Sequence, residues 1–176
     1  MGDNGQLFAL RTDGGFKLDE VASALQKEIR RGNAEDALFW ALELFPKYSN
    51  YLWSRLLVIS AEDIDAPGAC SAVNSLKEAF YWTNRKEKIV SDYRHRIFIS
   101  KAVLYLSKAK KSRESDHAQH YIDKLIKSNK IKQIPEYARD VHTKAGRLSG
   151  KTKKQFMQEE QESLVNKGED AFYDKL

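Results

Sequence analysis

The amino-acid sequence predicts an all-α protein, and three observations lead there. Apolar residues return at intervals of three and four along most of the chain. Glycine and proline are scarce, nine and three in 176 residues, so few sites force the chain to turn. Charged residues, 31% of the total, are interleaved with the 41% that are hydrophobic, which gives amphipathic stripes and no long apolar run. The length fits one domain, or one domain plus an ordered extension.

Residues 1–16, with Gly2, Gly5, Gly14 and Gly15, read as a mobile lead-in. From Lys17 the period changes: Leu18, Val21, Ala22, Leu25 and Ile29 share one helical face, and Gly32 is a stop signal. Asn33 is expected to cap a second helix through its side chain, with Glu35 and Asp36 suited to the positive helix end and Pro46 closing it. The short Gly-Asn joint makes these two helices an antiparallel hairpin. Ser49 or Asn50 is expected to cap a third helix reaching Ile64, whose run Leu56-Leu57-Val58-Ile59 marks it as central and buried. Pro67 and Gly68 end it. A fourth helix is expected over 70–83, with Val73, Leu76, Phe80 and Tyr81 inward. A fifth is expected over 91–108, burying Ile97, Phe98, Ala102, Val103, Tyr105 and Leu106. A sixth is expected over 116–128, with Tyr121, Ile122, Leu125 and Ile126 inward. Beyond Lys130, Pro135 can start a short helix to Asp140, Gly146 and Gly150 break the chain, and 152–165 form a polar helix with only Phe156, Met157 and Leu164 to bury. The expected organisation is therefore a lead-in over 1–16, a helical domain over 17–130 and an extension over 131–176. Trp53 and Trp82 sit poorly on the apolar faces and are candidate interface anchors.

No run approaches the roughly 18 apolar residues of a membrane span, and residues 1–15 lack the basic start and apolar stretch of a secretory signal. The single cysteine, Cys70, rules out an internal disulfide framework and fits a reducing, cytoplasmic setting. The net charge of +5 is unevenly placed. Residues 1–83 carry 8 Lys/Arg against 12 Asp/Glu, residues 84–154 carry 20 against 7, and residues 155–176 carry 2 against 6. A block of +13 attracts phosphate backbones or an acidic protein surface, or it simply solvates helix faces.

The segment Ala145–Thr152, AGRLSGKT, has the flavour of a phosphate-binding loop, but that loop needs glycine, four intervening residues, then Gly-Lys-Ser/Thr, and a buried strand before it. Ala145 stands at the first position and the lead-in is polar, so nucleotide hydrolysis is not expected. His117 and His120 have ligand spacing on a lysine-rich helix that is more simply solvent-exposed. Cys70 is expected to be a small buried side chain. Glu62 and Asp63, being adjacent, are expected to point apart and to pair with Arg55 or cap a neighbouring element, not to act as an acid/base couple. No cofactor and no metal are expected. Lys144, Arg147, Lys151, Lys153 and Lys154 occur within eleven residues with no acid among them, and Lys108, Lys110, Lys111 and Arg113 form a second basic cluster. Both are candidates for sequence-independent phosphate contact. The bland reading of the second is that lysines favour the negative end of a helix.

Four stretches together carry a family resemblance: 27–40, KEIRRGNAEDALFW; 54–63, SRLLVISAED; 101–112, KAVLYLSKAKKS; and, more weakly, 134–140, IPEYARD. In order and spacing they resemble the helical region that follows the ATPase core in replication-associated recombination protein A and its eukaryotic relative, the Werner helicase-interacting protein. The resemblance implies a compact multi-helix bundle like a clamp-loader collar domain, with a C-terminal helical extension. It implies assembly into homo-oligomers, tetramers foremost, in DNA replication, recombination or repair. Arg30, Arg31, Gly32, Trp40, Arg55, Glu62 and Asp63 fall on matching positions, as structural or assembly residues. An AAA+ ATPase, replication-fork proteins and DNA are the implied partners, and no membrane is. Two departures fall at turns: Asp65 stands where the family tends to have glycine, and Ala109-Lys110-Lys111-Ser112-Arg113 replaces its alanine-proline-lysine-serine-asparagine turn. The nucleotide-binding half is absent from the 176 residues, and Met1 with a private C-terminus suggests a stand-alone relative. The expected function is a non-catalytic helical oligomerisation or interaction module, the alternative a nucleic-acid-binding protein acting through 84–154.

Overall fold

A computed structural model describes residues 10–83, 93–130 and 132–168. Among the described residues the chain is all-α, with two isolated antiparallel bridges, Arg11 to Lys17 and Ile64 to Lys111, in place of any strand. It divides into two compact units, Met1–Lys127 and Ser128–Leu176.

The first unit opens with a turn that is tied down from residue 10 onward. Leu18 N–H donates to the Leu10 carbonyl, Thr12 is buried, and Gly14 N–H donates to Glu43 Oε1 at 2.9 Å. The expected mobile lead-in thus ends earlier than residue 16, and residues 1–9 lie outside the described residues. Helix α1, Leu18–Arg31, buries Leu18, Val21, Ala22, Leu25 and Ile29, with Asp19 and Glu20 in its first turn and Arg30 and Arg31 in its last. Each fully buried aliphatic side chain here is worth about 1.5–3 kcal/mol. Gly32 closes α1 at φ +80°, donating to the Ile29 carbonyl while Asn33 N–H reaches Glu28, the paired bonds of a left-handed helix cap.

Helix α2, Ala34–Leu44, follows at once, burying Ala37, Ala41 and Leu44. Asn33 does not cap it through its side chain; its Nδ2 instead donates back to Glu28 Oε2 at 2.6 Å, a charge-assisted bond to the preceding helix. Helix α3, Ser49–Glu62, starts one residue after Tyr48, so neither Ser49 nor Asn50 is its cap. It buries Leu52, Trp53, Leu56, Ile59 and Ser60, while Val58 faces water. Trp53, expected at an interface, is 0% exposed and packs its ring 5.5 Å from Phe80. Helix α4, Ala69–Thr83, buries Ala69, Val73 and Phe80. Helix α5, Tyr93–Lys108, buries Ile99, Ala102, Val103 and Leu106 at spacings of three and four, and Ser91 lies outside the described residues. Ile97 is exposed: the face set by Ile99 and Val103 leaves it on the opposite side. These five helices share one core, with Phe80 at an aromatic junction of Phe45, Trp53, Tyr81 and His95.

Helix α6, Glu114–Lys127, is the exception to the expected packing, because none of its residues is buried. Tyr121 is 62%, Ile122 43% and Ile126 67% exposed. The periodicity that was expected to point them inward is present, but among the described residues α6 meets the body chiefly along α3.

Among its described residues the second unit holds a 3-10 turn, Glu136–Ala138, and two helices. Helix α7, Lys144–Leu148, runs through Gly146, where the sequence suggested a break. A Cβ at Gly146 would collide with the Asp140 carbonyl, so glycine is there for close backbone approach. Helix α8, Lys153–Ser163, begins with a reciprocal cap in which Thr152 and Gln155 satisfy each other's backbone N–H groups. It buries no residue fully; Phe156 and Met157 are half-covered and Leu164 is exposed.

Candidate functional site

The densest polar constellation sits where α1, the end of α3 and the start of α6 converge. Asp63, 0% exposed, occupies the C-cap of the apolar helix α3 and accepts from four N–H groups. Its Oδ1 takes Arg30 Nε at 3.0 Å and Arg113 Nη1 at 2.9 Å; its Oδ2 takes Arg30 Nη2 at 3.1 Å and Gln26 Nε2 at 2.9 Å. Glu62 shares two of these donors, accepting from Arg113 Nη1 at 3.1 Å and Gln26 Nε2 at 3.0 Å. Arg113 also pairs with Asp116, and Arg55 Nη2 donates to Gln26 Oε1 at 2.6 Å. The Arg113 guanidinium is opposed by burial but held above its ordinary value by the hydrogen bonds to Asp116, Glu62 and Asp63.

This geometry corrects two expectations. Glu62 and Asp63 do not diverge, because Asp63 lies just past the helix end where the backbone departs from the 100° step, and both carboxylates meet the same donors. Their partners are Arg30, Arg113 and Gln26; Arg55 reaches them only through Gln26. Charges balance, with Arg30, Arg55 and Arg113 against Glu62, Asp63 and Asp116, around the one fully buried member, Asp63. With its lone pairs engaged by fixed donors, Asp63 is a clamp holding three helices together and not a proton-transfer group.

Beside the clamp, the ends of α3 and α5 are laced by backbone. Asp65 N–H donates to the Lys110 carbonyl and Ser112 N–H to the Asp63 carbonyl, around the Ile64–Lys111 bridge. The two positions that depart from the resembled family meet here: Lys110 Nζ lies 2.6 Å from Asp65 Oδ2, and that hydrogen bond and charge raise the lysine's pKa. Lys111 turns inward and donates to the carbonyls of Leu106, Ser107 and Ala109 at 2.9, 2.8 and 2.6 Å. Burial lowers its pKa.

The basic candidates therefore separate. Arg113 and Lys111, expected on phosphates, are committed to carboxylates and to a helix end; Lys110 is paired with Asp65, and Lys151 with Glu159 at 3.0 Å. Lys108, Lys144, Arg147, Lys153 and Lys154 are exposed. Of the remaining candidates, Gly32 makes the turn described above, Arg31 caps its own helix at the Lys27 carbonyl, and Trp40 is half-buried with its ring edge-on to Phe16 and Phe39. Trp82 is 68% exposed. Cys70 is exposed too, because Ala69 takes the inward position. His120 Nδ1 lies 2.8 Å from the Asp116 carbonyl. Among the described residues no group of three His, Cys, Asp or Glu is placed to hold a metal ion, and no helix is long and apolar enough to cross a membrane. The 145–152 segment is helix and turn, with the N–H groups of Gly146, Arg147, Ser149 and Gly150 spent on Thr143, Ala145 and Arg147. A cleft of about 400 Å³ between Pro46, Tyr48, Tyr51 and Tyr81 holds none of the clamp residues.

An all-α body whose helices α1, α3 and α6 are tied together at a buried carboxylate defines a helical domain. The chain belongs to the family described as MgsA AAA+ ATPase C terminal, whose model matches residues 32–173. That match spans α2 to α8 and concerns the helical C-terminal domain, with no ATPase core. Comparison with curated proteins gives no match.

Proposed function

We propose that the chain is a non-catalytic assembly module of a AAA+ ATPase system working in DNA replication, recombination or repair, and that it forms a homo-oligomer, a tetramer foremost. The observation that carries this reading is the outward apolar face of α6. Tyr121, Ile122 and Ile126 are large, exposed and contiguous on a helix whose base is fixed by the Arg113–Asp116 pair. Such a face on a rigid support is what macromolecular contacts use. Membership of a family defined by the C-terminal part of AAA+ ATPases supplies the context. Light scattering on the purified chain tests it: a defined multiple of the 20.2 kDa monomer is expected. A strict monomer at tens of micromolar overturns it.

A second reading, sequence-independent binding to nucleic acid, is favoured by one observation in the second unit. Lys144, Arg147, Lys153 and Lys154 are all exposed, and no acid lies between Asp140 and Glu159. Binding of this type weakens steeply with salt. Exchanging Lys153 and Lys154 for Glu should abolish retention of single- or double-stranded DNA at low salt; unchanged retention removes this reading.

A further inference from the structure

Helix α4 ends in an aromatic pair that neither the clamp nor the α6 face uses. Trp82 is 68% exposed, and Tyr81 walls two clefts of about 400 and 390 Å³. The first lies between Tyr81 and the start of α3, where Tyr48, Asn50 and Tyr51 line it; the second runs along α4, between Glu78, Tyr81 and Trp82. The rings are held in place before any ligand arrives. Tyr48 Oη donates to the Arg11 carbonyl at 2.9 Å, Tyr81 stands edge-on to Phe80 at 5.1 Å, and the Tyr81 hydroxyl donates to Asn50 Oδ1. That last bond turns the Asn50 oxygen toward Tyr81 and leaves the exposed amide NH2 to donate outward.

The two clefts differ in charge. Lys47, the charged residue lining the first, is spent on the Arg11 carbonyl at 3.0 Å and on Asp13 at 3.5 Å. Glu78, the charged residue lining the second, has no ion-pair partner among the described residues. Its field reaches the neighbouring ring: burial first, and then the Glu78 charge, push the Tyr81 hydroxyl up. The surface is therefore neutral and aromatic at the α3 end, aromatic and anionic at the Trp82 end.

An incoming helix wants one continuous groove and an incoming strand wants a sheet edge; two short clefts divided by one ring offer neither. A proline-rich segment in polyproline II form suits them. Its rings pack between aromatic side chains, its carbonyls carry no internal hydrogen bonds and accept from a donor such as Asn50, and it has little conformational entropy to lose. We propose that this ledge binds a proline-rich peptide in extended form, with its prolines against Tyr48, Tyr51 and Tyr81 and an arginine beside Glu78 and Trp82. Glu78 supplies the opposite charge, and a guanidinium also stacks on the indole face. This goes beyond the assembly reading and does not rest on it.

Anisotropy of labelled synthetic peptides on the full chain tests it. The probe is a Pro-Pro-Leu repeat of about ten residues, some three turns of polyproline II, with one terminal arginine. Two controls replace its prolines with alanine or its arginine with glutamate. The probe should bind saturably and shift the tryptophan emission, because Trp82 is exposed while Trp40 is half-buried and Trp53 buried. The alanine control should bind at least about tenfold more weakly, and Trp82→Ala should cost the probe as much. Glu78→Lys should reverse the ranking of the arginine and glutamate peptides. Both side chains are exposed, so both variants should keep the native fold, which circular dichroism checks. No saturation at millimolar probe, equal affinity for the alanine control, or full binding by Trp82→Ala overturns the proposal. An oligothymidylate that binds in place of the peptide and is lost in Trp82→Ala overturns it too, and makes the ledge a base-stacking surface. None of these readouts follows oligomeric mass, so their failure leaves the assembly reading standing, and a monomeric native chain leaves the peptide site standing.

Discussion

Asp63→Asn tests the clamp most directly, since it keeps the shape and removes the charge. In the native fold the carboxylate accepts from Arg30 twice, from Arg113 and from Gln26. An amide can retain the bonds at one oxygen, but its NH2 then faces Arg30 Nη2 and Gln26 Nε2, donor against donor. The two guanidinium groups also lose the charge that lies between them. Breaking a buried pair by removing one partner costs about 3–5 kcal/mol. Here Arg30 and Arg113 keep 34% and 28% of their side-chain surface in water, which repays part of that, so a loss of about 2–4 kcal/mol is expected. At about 2–4 °C per kcal/mol for a chain of this size, the melting midpoint should fall by about 4–16 °C. Urea unfolding followed by tryptophan fluorescence reads the free energy, because buried Trp53 reports on the core next to α3. The exposed Asp65–Lys110 pair is the internal control: Asp65→Asn should cost no more than about 1 kcal/mol. If Asp63→Asn costs no more than Asp65→Asn, the cluster is an ordinary surface network and the clamp argument fails.

Three other outcomes follow from the same geometry. Lys111→Met should destabilise the first unit by about 1–3 kcal/mol, because three carbonyls at the end of α5 lose their donor; chemical denaturation measures it, and a neutral result refutes the capping role. Gly146→Ala should disorder α7 while leaving the first unit intact, since its Cβ has no room beside the Asp140 backbone; amide resonances of residues 144–148 should lose dispersion, and an unchanged spectrum counts against the close approach. The Asp140 carboxyl is held below its usual value, first by the His142 ring and then by His142 N–H. A depressed folded pKa means this support is present above the unfolded value, roughly 4, and is lost as pH falls through the folded one; an NMR titration of Asp140 with an ordinary midpoint would contradict it.

The helices of the first unit were legible because their signals are local. Leu18, Val21, Leu25 and Ile29 repeat at helical spacing, and Gly32 needs only its own φ to end the helix. The clamp was not legible, because its bonds span 33 residues from Arg30 to Asp63 and 50 from Asp63 to Arg113. The available hint was an acid directly after a run as apolar as 56–59, a place where a carboxylate needs buried partners. Trp53 was misjudged for a related reason: α3 is covered over a wide arc, so a position off the main stripe is still inside. Gly146 likewise reads as a breaker in isolation and becomes a packing residue only once Asp140 lies over it. Lys111 could not be separated from Lys108 and Lys110 by composition, since only the turn at 109–112 aims it inward.

Helix α6 shows what periodicity does and does not encode. An apolar stripe at spacings of three and four states that the helix has one face to cover, and it is silent on whether the cover comes from the same chain. The contacts that hold α6 to the body bear on the question. Ser112 and Arg113 fix the start of α6 against the end of α3, through the Ser112 N–H bond to the Asp63 carbonyl and the Arg113 link to Asp63. That anchoring spends the polar side of the first turn on the body and leaves Tyr121, Ile122 and Ile126 pointing away from it. A helix wanted only for the core would be anchored by its apolar side, as α1 and α5 are. Holding it by a buried ion cluster instead keeps the apolar side available and the helix rigid, so that less conformational entropy is lost when a partner covers it.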